Sequence, residues 1–471
     1  MIFEKIEASL AKKPPEIFTR LPVSPKALQP GDRVVIIGGG ISGSSMARYL
    51  LQLCQLEQKE VEVILVNSTN CNYCGGLVTN LALETFSSHY NINIQPEQVL
   101  SYINETVYIN PQGSFGVPIA APLISTLRTS KFGLVGFDDS IKDKITEGLE
   151  EQTKLLTIIE PTLVREITPL GQHDDGETGR VNWEVTLSRK VNGENIKIAC
   201  HTLVLANGLR GINNPLIKNF SELTGYKPPE IMAASVTEID TSQAVYNNLQ
   251  GKVFILDGII PDCVVALVCK GKHWVTVTCL NKKLTLTDIQ TVFKHPQVME
   301  YIDLPNPTVH LRCGIICGAT VFTKGAKNFY GDNWVAIGDL TGYGRILKDG
   351  YFAALVSAKY AAETLIYHGT TKGDFDRHYY LPLKKQTASW NKLGIILFHL
   401  NLRLLATDWF PKLMIAAGKS EKQQHKMGGA VHSAIRALTT GELSYLTIAL
   451  LFIWGLAETI IKYPFRKLFN I

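Results

Sequence analysis

Residues 31–50 read Gly31-Asp-Arg-Val-Val-Ile-Ile-Gly-Gly-Gly-Ile-Ser-Gly-Ser-Ser-Met-Ala-Arg-Tyr-Leu50, and their order decides the fold. Val34 to Ile37 form a short β-branched apolar run, as expected of a parallel strand buried on both faces. Gly38, Gly40 and Gly43 follow in the GxGxxG spacing. The first glycine permits a tight turn, the second lets the backbone approach a pyrophosphate, and the third lets the next helix pack closely on the strand. That helix, carrying Met46, Ala47, Tyr49 and Leu50, aims its N-terminus at the phosphates. Strand, glycine turn and apolar helix together predict a dinucleotide site.

Working outward, Val61-Glu-Val-Ile-Leu-Val66 is the second strand of a βαβ unit, and it ends at Asn67. An acid usually stands there to accept the adenosine ribose hydroxyl. The Asn67 amide can accept one hydrogen bond and donate others, so the site is weakened rather than excluded. Next comes Cys71-Asn-Tyr-Cys-Gly-Gly-Leu77, open to three readings. A zinc site would need a second pair, and Cys313-Gly-Ile-Ile-Cys317 has the wrong spacing, so no metal site is expected. A redox pair would sit at a helix start, for which Gly75-Gly76 is poorly suited. In the favoured third reading the glycines bring the backbone against a flat cofactor, with one thiol near the reacting atom.

Further on, Phe137 to Gly148 reads as a helix opening on Asp138 or Asp139. Val181 to Leu187 and Ile196 to Ala206 read as strands, the second stopping at Ala206-Asn207-Gly208, where open α/β sheets bind ligands. From Ile231 to Leu280 strands follow one another without helices, which implies an inserted antiparallel sheet. The chain returns through Trp334-Val-Ala-Ile-Gly-Asp-Leu-Thr-Gly-Tyr-Gly-Arg-Ile-Leu-Lys-Asp-Gly350 and a helix from Tyr351 to Tyr367. Here a strand delivers Asp339 to accept hydroxyls of a polyol, and the helix start near Gly350 offers free N–H groups and partial positive charge, suited to an anionic reduced flavin.

The expected fold class is therefore α/β: a Rossmann-like domain with a parallel sheet, an inserted antiparallel-sheet substrate domain and a C-terminal helical region. Its divisions are an extension (1–30), the first part of the nucleotide domain (31–215), the insertion (216–325), the second part (326–370) and the helical region (371–471). The 471 residues, 45% hydrophobic and 19% charged, are those of a globular protein. Nine cysteines fit reduced thiols in a cytosolic compartment better than a disulfide framework. Met1 to Pro30 has no long apolar core and does not read as a secretory signal.

The net charge of +5 is unevenly spread: residues 381–471 hold twelve Lys and Arg against four Asp and Glu, a local +8. A basic, apolar tail suggests a membrane surface rather than nucleic acid, since aromatic and basic residues are not interleaved as RNA binding requires. The run Leu446 to Ala457 is shorter than the roughly 20 residues that span a bilayer, and Glu458 ends it. Lys462, Arg466 and Lys467 follow, where anionic head groups would hold them. The tail is expected to lie in the membrane interface of a cytoplasmic, peripheral protein, or else to cap the substrate domain.

With these motifs in view, residues 31–370 resemble the single-dinucleotide FAD oxidoreductases of the geranylgeranyl reductase type, within the hydroxylase-like flavoprotein superfamily. Gly38, Gly40 and Gly43 match the turn over the FAD pyrophosphate, and Asn207-Gly208 looks like the strand-end turn over the cofactor. Gly338-Asp339 looks like the motif that holds the ribityl chain, with Lys348-Asp-Gly350 leading into the helix that faces the flavin. Cys74-Gly75-Gly76 is similar to the segment some of these reductases place beside the isoalloxazine, which would make Cys74 catalytic. Asn207 replaces the aspartate of the hydroxylases' Asp-Gly motif, which argues against a monooxygenase. The resemblance implies FAD as cofactor, an isoprenoid or lipid substrate whose double bond is reduced, and an external donor of the NAD(P)H or ferredoxin kind. An isolated alkene has almost no polar handle, so its site should be a long apolar tunnel. Arg345 and Lys348 are candidates to steady a diphosphate or the flavin. Electron transfer with a membrane quinone, or a non-catalytic flavin-holding subunit of a membrane complex, are the alternative functions.

Overall fold

The computed structural model describes residues 21–68, 77–119, 124–127, 137–170, 182–189, 195–270, 274–346, 350–387, 391–424 and 429–462. A six-stranded sheet forms the centre, in the order Tyr330–Gly331, Trp334–Ala336, Thr202–Leu205, Arg33–Ile37, Glu62–Val66, Leu156–Ile159. Neighbours pair in parallel except at the Tyr330–Gly331 edge. Val34, Val35 and Ile36 are wholly buried, which is why that strand carries no polar alternation.

The helix Ile41–Glu57 packs against the helix Gly350–Glu363, whose buried alanines (353, 354, 358, 361 and 362) let the two lie close. Tyr49 Oη donates to Glu363 Oε1 at 3.0 Å and ties the pair. The strand expected over 196–206 is divided at His201. Asn195–Cys200 belongs to a three-stranded antiparallel sheet with Trp183–Arg189 and Thr162–Pro169, and Thr202–Leu205 to the parallel sheet. The Arg33 N–H donates to His201 Nδ1 at 2.7 Å, which fixes the crossing point. The helix expected over 137–148 runs from Phe137 to Asp143, and the chain then turns to Gly148, whose φ is +72°.

A second sheet has seven strands: Cys317–Lys324, Glu230–Asp240, Trp274–Leu280, Val264–Lys270, Lys252–Asp257, Glu105–Asn110 and Gly113–Pro118. Two of these strands come from outside residues 216–325: the hairpin 105–118 joins by parallel pairing of Glu105–Asn110 with Lys252–Asp257. Its pattern is that of any two-stranded turn, and nothing local says which sheet it will extend. Within the sheet Glu238 accepts from Lys270 Nζ at 2.9 Å and Arg312 Nη1 at 3.0 Å, with the acid and the lysine both buried.

The C-terminal region consists of the helices Asn391–Leu405, Phe410–Gln424, Ala430–Thr440 and Tyr445–Lys462. Phe410, Met414, Val431 and Ile435 bury Tyr108, Phe115 and Val117 of the seven-stranded sheet. Polar ties fix the arrangement. Glu421 accepts from the N–H groups of Gly429, Val431 and His432 at 2.9–3.1 Å, satisfying donors that a helix start leaves free. Asn401 Nδ2 donates to both Asp257 oxygens, at 3.1 and 2.9 Å, and Tyr108 Oη donates to Oδ2 at 3.0 Å. The last helix continues beyond the apolar run to Lys462, with a Glu458–Lys462 ion pair one turn apart. This helix has 18 residues and is long and apolar enough to cross a membrane by length and composition, with 33% of it buried against the protein.

Burial pushes the Asp257 carboxyl up to about 6, against the pull of Asn401 and Tyr108. The unfolded chain has the ordinary value of about 4, so between these two pH values the folded state binds more protons. Stability therefore falls as pH rises through that window. Asp257→Asn is expected to flatten this part of the slope in urea denaturation at pH 4.5 and pH 7. Asp257→Ala should cost about 1–3 kcal/mol at both, because it leaves Asn401 and Tyr108 without their buried acceptor.

Candidate functional site: a dinucleotide cleft at the carboxyl ends of the parallel strands

The glycine turn is shaped by two close approaches. A Cβ on Gly38, whose φ is +114°, would lie 2.4 Å from the Ala206 carbonyl oxygen, and one on Gly43 would lie 1.8 Å from the Gly38 carbonyl oxygen. Gly40 is different: its nearest neighbour would be Asp138 Oδ2 at 3.4 Å, and its φ of −73° suits any residue. The helix that follows has no side-chain cap and no acid in its first turn. Its first N–H groups and the positive end of its dipole thus face the cleft as an anion site.

The second motif meets the first directly. A Cβ on Gly338, at φ +64°, would lie 2.0 Å from Ser42 Oγ, and the Gly338 N–H donates to Ser357 Oγ at 2.8 Å. Asp339 follows, its Oδ1 3.8 Å from where a Cβ on Gly350 would stand. Burial pushes the Asp339 carboxyl up to about 6. Asp138 is likewise pushed up to about 6, by burial first and then by the charges of Asp139 and Asp339. Gly40, Asp138, Asp339 and Gly350 therefore border one cleft. Asp138 reads as a helix cap from sequence, and only the packing of its helix against Ile41–Glu57 brings it here.

Asn207 and Gly208 follow the neighbouring strand Thr202–Leu205, and the Asn207 Cα would lie 2.8 Å from a Cβ on Gly38. Asn207 Oδ1 is buried and has no hydrogen-bond partner, and Gly208 takes φ +63°. A buried acceptor without a donor is costly, and a ligand group is the simplest source of one. Asn67 Oδ1 accepts from the Gly39 N–H at 3.1 Å, and its Nδ2 donates to Glu160 Oε2 at 2.9 Å. Glu160 was invisible to sequence reading, because its proximity depends on the pairing of Glu62–Val66 with Leu156–Ile159. Cys71, Cys74, Gly75, Gly76 and Lys348 lie outside the described residues.

Arg345 lies further along the same loop. Its Nη1 donates to the Gly441 carbonyl at 2.9 Å and also to that of Leu443, and its guanidinium stands 4.7 Å from the centre of the Tyr445 ring. Tyr445 Oη donates to the Ile346 carbonyl and Asn391 Nδ2 to that of Gly344. The C-terminal helices thus hold the loop that carries the second motif. Among the described residues, no group of three or more His, Cys, Asp and Glu is placed to hold a metal ion.

No family model matches the chain, and no curated protein does. Solved structures match over nearly the whole length. A geranylgeranyl bacteriochlorophyll reductase-like protein from Thermoplasma acidophilum has a TM-score of 0.63 at 12% identity, covering 92% of this chain and 98% of its own. A flavoprotein/dehydrogenase from Cytophaga hutchinsonii has a TM-score of 0.56 at 14% identity, with coverage of 92% and 96%. The p-nitrophenol 4-monooxygenase from Pseudomonas putida has a TM-score of 0.52 at 11% identity, with coverage of 91% and 99%. The fold is that of the flavoprotein oxidoreductases. Within it, the chain has the architecture of the geranylgeranyl reductase-like protein.

The two glycine types predict separable variants. Gly43→Ala is expected to lower the melting temperature by many degrees, because its Cβ would strike the backbone carbonyl of Gly38. Gly40→Ala is expected to leave melting nearly unchanged and to weaken FAD binding at least tenfold, as read by quenching of flavin fluorescence.

Proposed function

We propose that the protein is an FAD-dependent oxidoreductase that reduces double bonds of an isoprenoid lipid, taking electrons from an external NAD(P)H- or ferredoxin-like donor at a membrane surface. One observation supports it above the rest: an uncapped helix start and the Asp138 and Asp339 carboxyls stand together where the two glycine motifs meet, and the amide oxygen of Asn207, whose backbone adjoins Gly38, lacks a donor. Bound there, FAD would supply two-electron chemistry at carbon that no amino-acid side chain can.

The chain's own part is binding, orientation and exclusion of water. Gly38, Gly40 and Gly43 with the Ile41–Glu57 helix start would take the pyrophosphate. Asp339 would accept ribityl hydroxyls, and the start of Gly350–Glu363 would favour negative charge on the ring beside it. Asn207 Oδ1 would receive its missing donor. The thiol of Cys74 is the proposed proton source for the second carbon of the alkene. A substrate without polar handles would need an apolar tunnel, which is proposed to lie against the seven-stranded sheet.

The membrane part of the proposal rests on one helix face. Leu446, Leu450, Ile453, Trp454 and Ile461 recur at helical spacing and are exposed, and the neighbouring helix Asn391–Leu405 exposes Ile396 and Leu400. Exposed Lys392, Arg403 and Lys412 border them. Apolar groups framed by cations fit an anionic bilayer surface.

The first test is an absorption spectrum of the purified protein, followed by anaerobic reduction with dithionite. Reoxidation by polyprenyl alkenes is expected; reoxidation by quinone alone would replace alkene reduction with electron transfer, and a colourless protein that takes up no FAD would end the redox reading. Asp339→Ala should lower FAD occupancy. Flotation with phosphatidylglycerol vesicles is expected to carry the protein. Ile453→Glu with Trp454→Glu should reduce that partition more than tenfold, since each buried side chain contributes about 1.5–3 kcal/mol.

A further inference from the structure

The end of the second strand, where the cofactor's ribose is normally held by an acid, carries Asn67, and its two amide groups are already engaged. The Gly39 N–H donates to Oδ1 at 3.1 Å, and Nδ2 donates to Glu160 Oε2 at 2.9 Å. The backbone holds Glu160 against the same sheet end. Asn67 N–H donates to the Ile159 carbonyl, and Thr162 N–H to the Asn67 carbonyl, each at 3.0 Å. A carboxylate therefore stands beside the Asn67 amide at the end of the second strand, delivered by the adjacent strand.

We propose that Glu160 binds the 2′-hydroxyl of the adenosine ribose, with Asn67 and Lys142 as the residues that position it. This rests on the FAD reading above. Lys142 Nζ lies 2.9 Å from Oε1 and 2.8 Å from Oε2, and Asp139 stands 3.7 Å from the same ammonium. Burial acts to raise the Glu160 carboxyl, but the hydrogen bonds from Lys142 and Asn67 and the Lys142 charge outweigh it and hold the group below its ordinary range. At neutral pH it is thus an acceptor only, and each oxygen has about two lone-pair directions. Among the described residues Oε1 accepts from Lys142 alone, so it retains capacity for a hydroxyl. With 31% of its side chain exposed, the group is open to a ligand.

The plainer account is a half-exposed ion pair, of the kind that adds little to stability. That account gives no reason for the protein to distinguish ribose from deoxyribose, and this difference is what the experiment reads. Wild type is titrated with FAD and with its 2′-deoxyadenosine analogue, following quenching of flavin fluorescence. A preference for FAD of about tenfold or more is expected, as for a hydrogen bond to a charged acceptor.

Glu160→Gln should weaken FAD binding about tenfold and bring the two ligands within about threefold of each other, without shifting the melting temperature of the FAD-free protein. Asn67→Asp should also weaken FAD binding, because it replaces the donor to Glu160 by a second carboxylate. Combining it with Glu160→Gln should restore affinity, since one acid then again faces the ribose with an amide beside it. Indifference of wild type to the 2′-hydroxyl, or full preference retained in Glu160→Gln, would overturn the proposal while leaving the cofactor reading intact. Failure of wild type to quench any flavin would overturn both.

Discussion

The approach of Gly43 to the carbonyl of Gly38 is the contact on which the site depends. With hydrogen in place of a side chain, the helix Ile41–Glu57 starts directly above the strand Arg33–Ile37 and leaves its first N–H groups open to the cleft. A methyl group at that point would stand 1.8 Å from a backbone oxygen, and no rotamer could relieve it. The same helix start then receives Gly338 against Ser42, so the first motif positions the second. Everything that faces a ligand here hangs on a helix set unusually close to a strand.

A second constraint comes from the other end of the chain. The loop after Asp339 is held from outside by Asn391, Tyr445 and the carbonyls that Arg345 reaches. The helices that provide these groups are anchored in turn by Asp257 and Glu421, two buried carboxylates whose oxygens are taken up by donors. Buried carboxylates are tolerated only when so engaged. The C-terminal region therefore has two duties on two faces: one steadies the cofactor loop and the seven-stranded sheet, and the other presents apolar side chains outward.

The polar groups of the cleft have different environments. Asp138 and Asp339 are desolvated and shifted up, whereas Glu160 is paired with a lysine and held down. Burial works against the charge on two of these carboxyls, while the Lys142 ammonium favours it on the third. The arrangement suits a ligand that has phosphates near its middle and hydroxyls on either side.

By itself the sequence determined the features whose cause is local. The β-branched run at 34–37, the spacing of Gly38, Gly40 and Gly43, and the return of a strand into Gly338-Asp339 are sterically tied to their own backbone. The strands from 230 to 280 announced themselves by their apolar alternation, although the expected run without helices is interrupted by a short helix, Gln243–Leu249, between Glu230–Asp240 and Lys252–Asp257. What only the tertiary structure decided is which distant pieces share a surface. Hairpin 105–118 extends the seven-stranded sheet, the strand 196–206 parts at His201, Asp138 turns toward Gly40, and Glu160 comes to rest beside Asn67 although 93 residues separate them. Each of these depends on strand order and register, which are settled by burial summed over whole sheets rather than by any short run of residues.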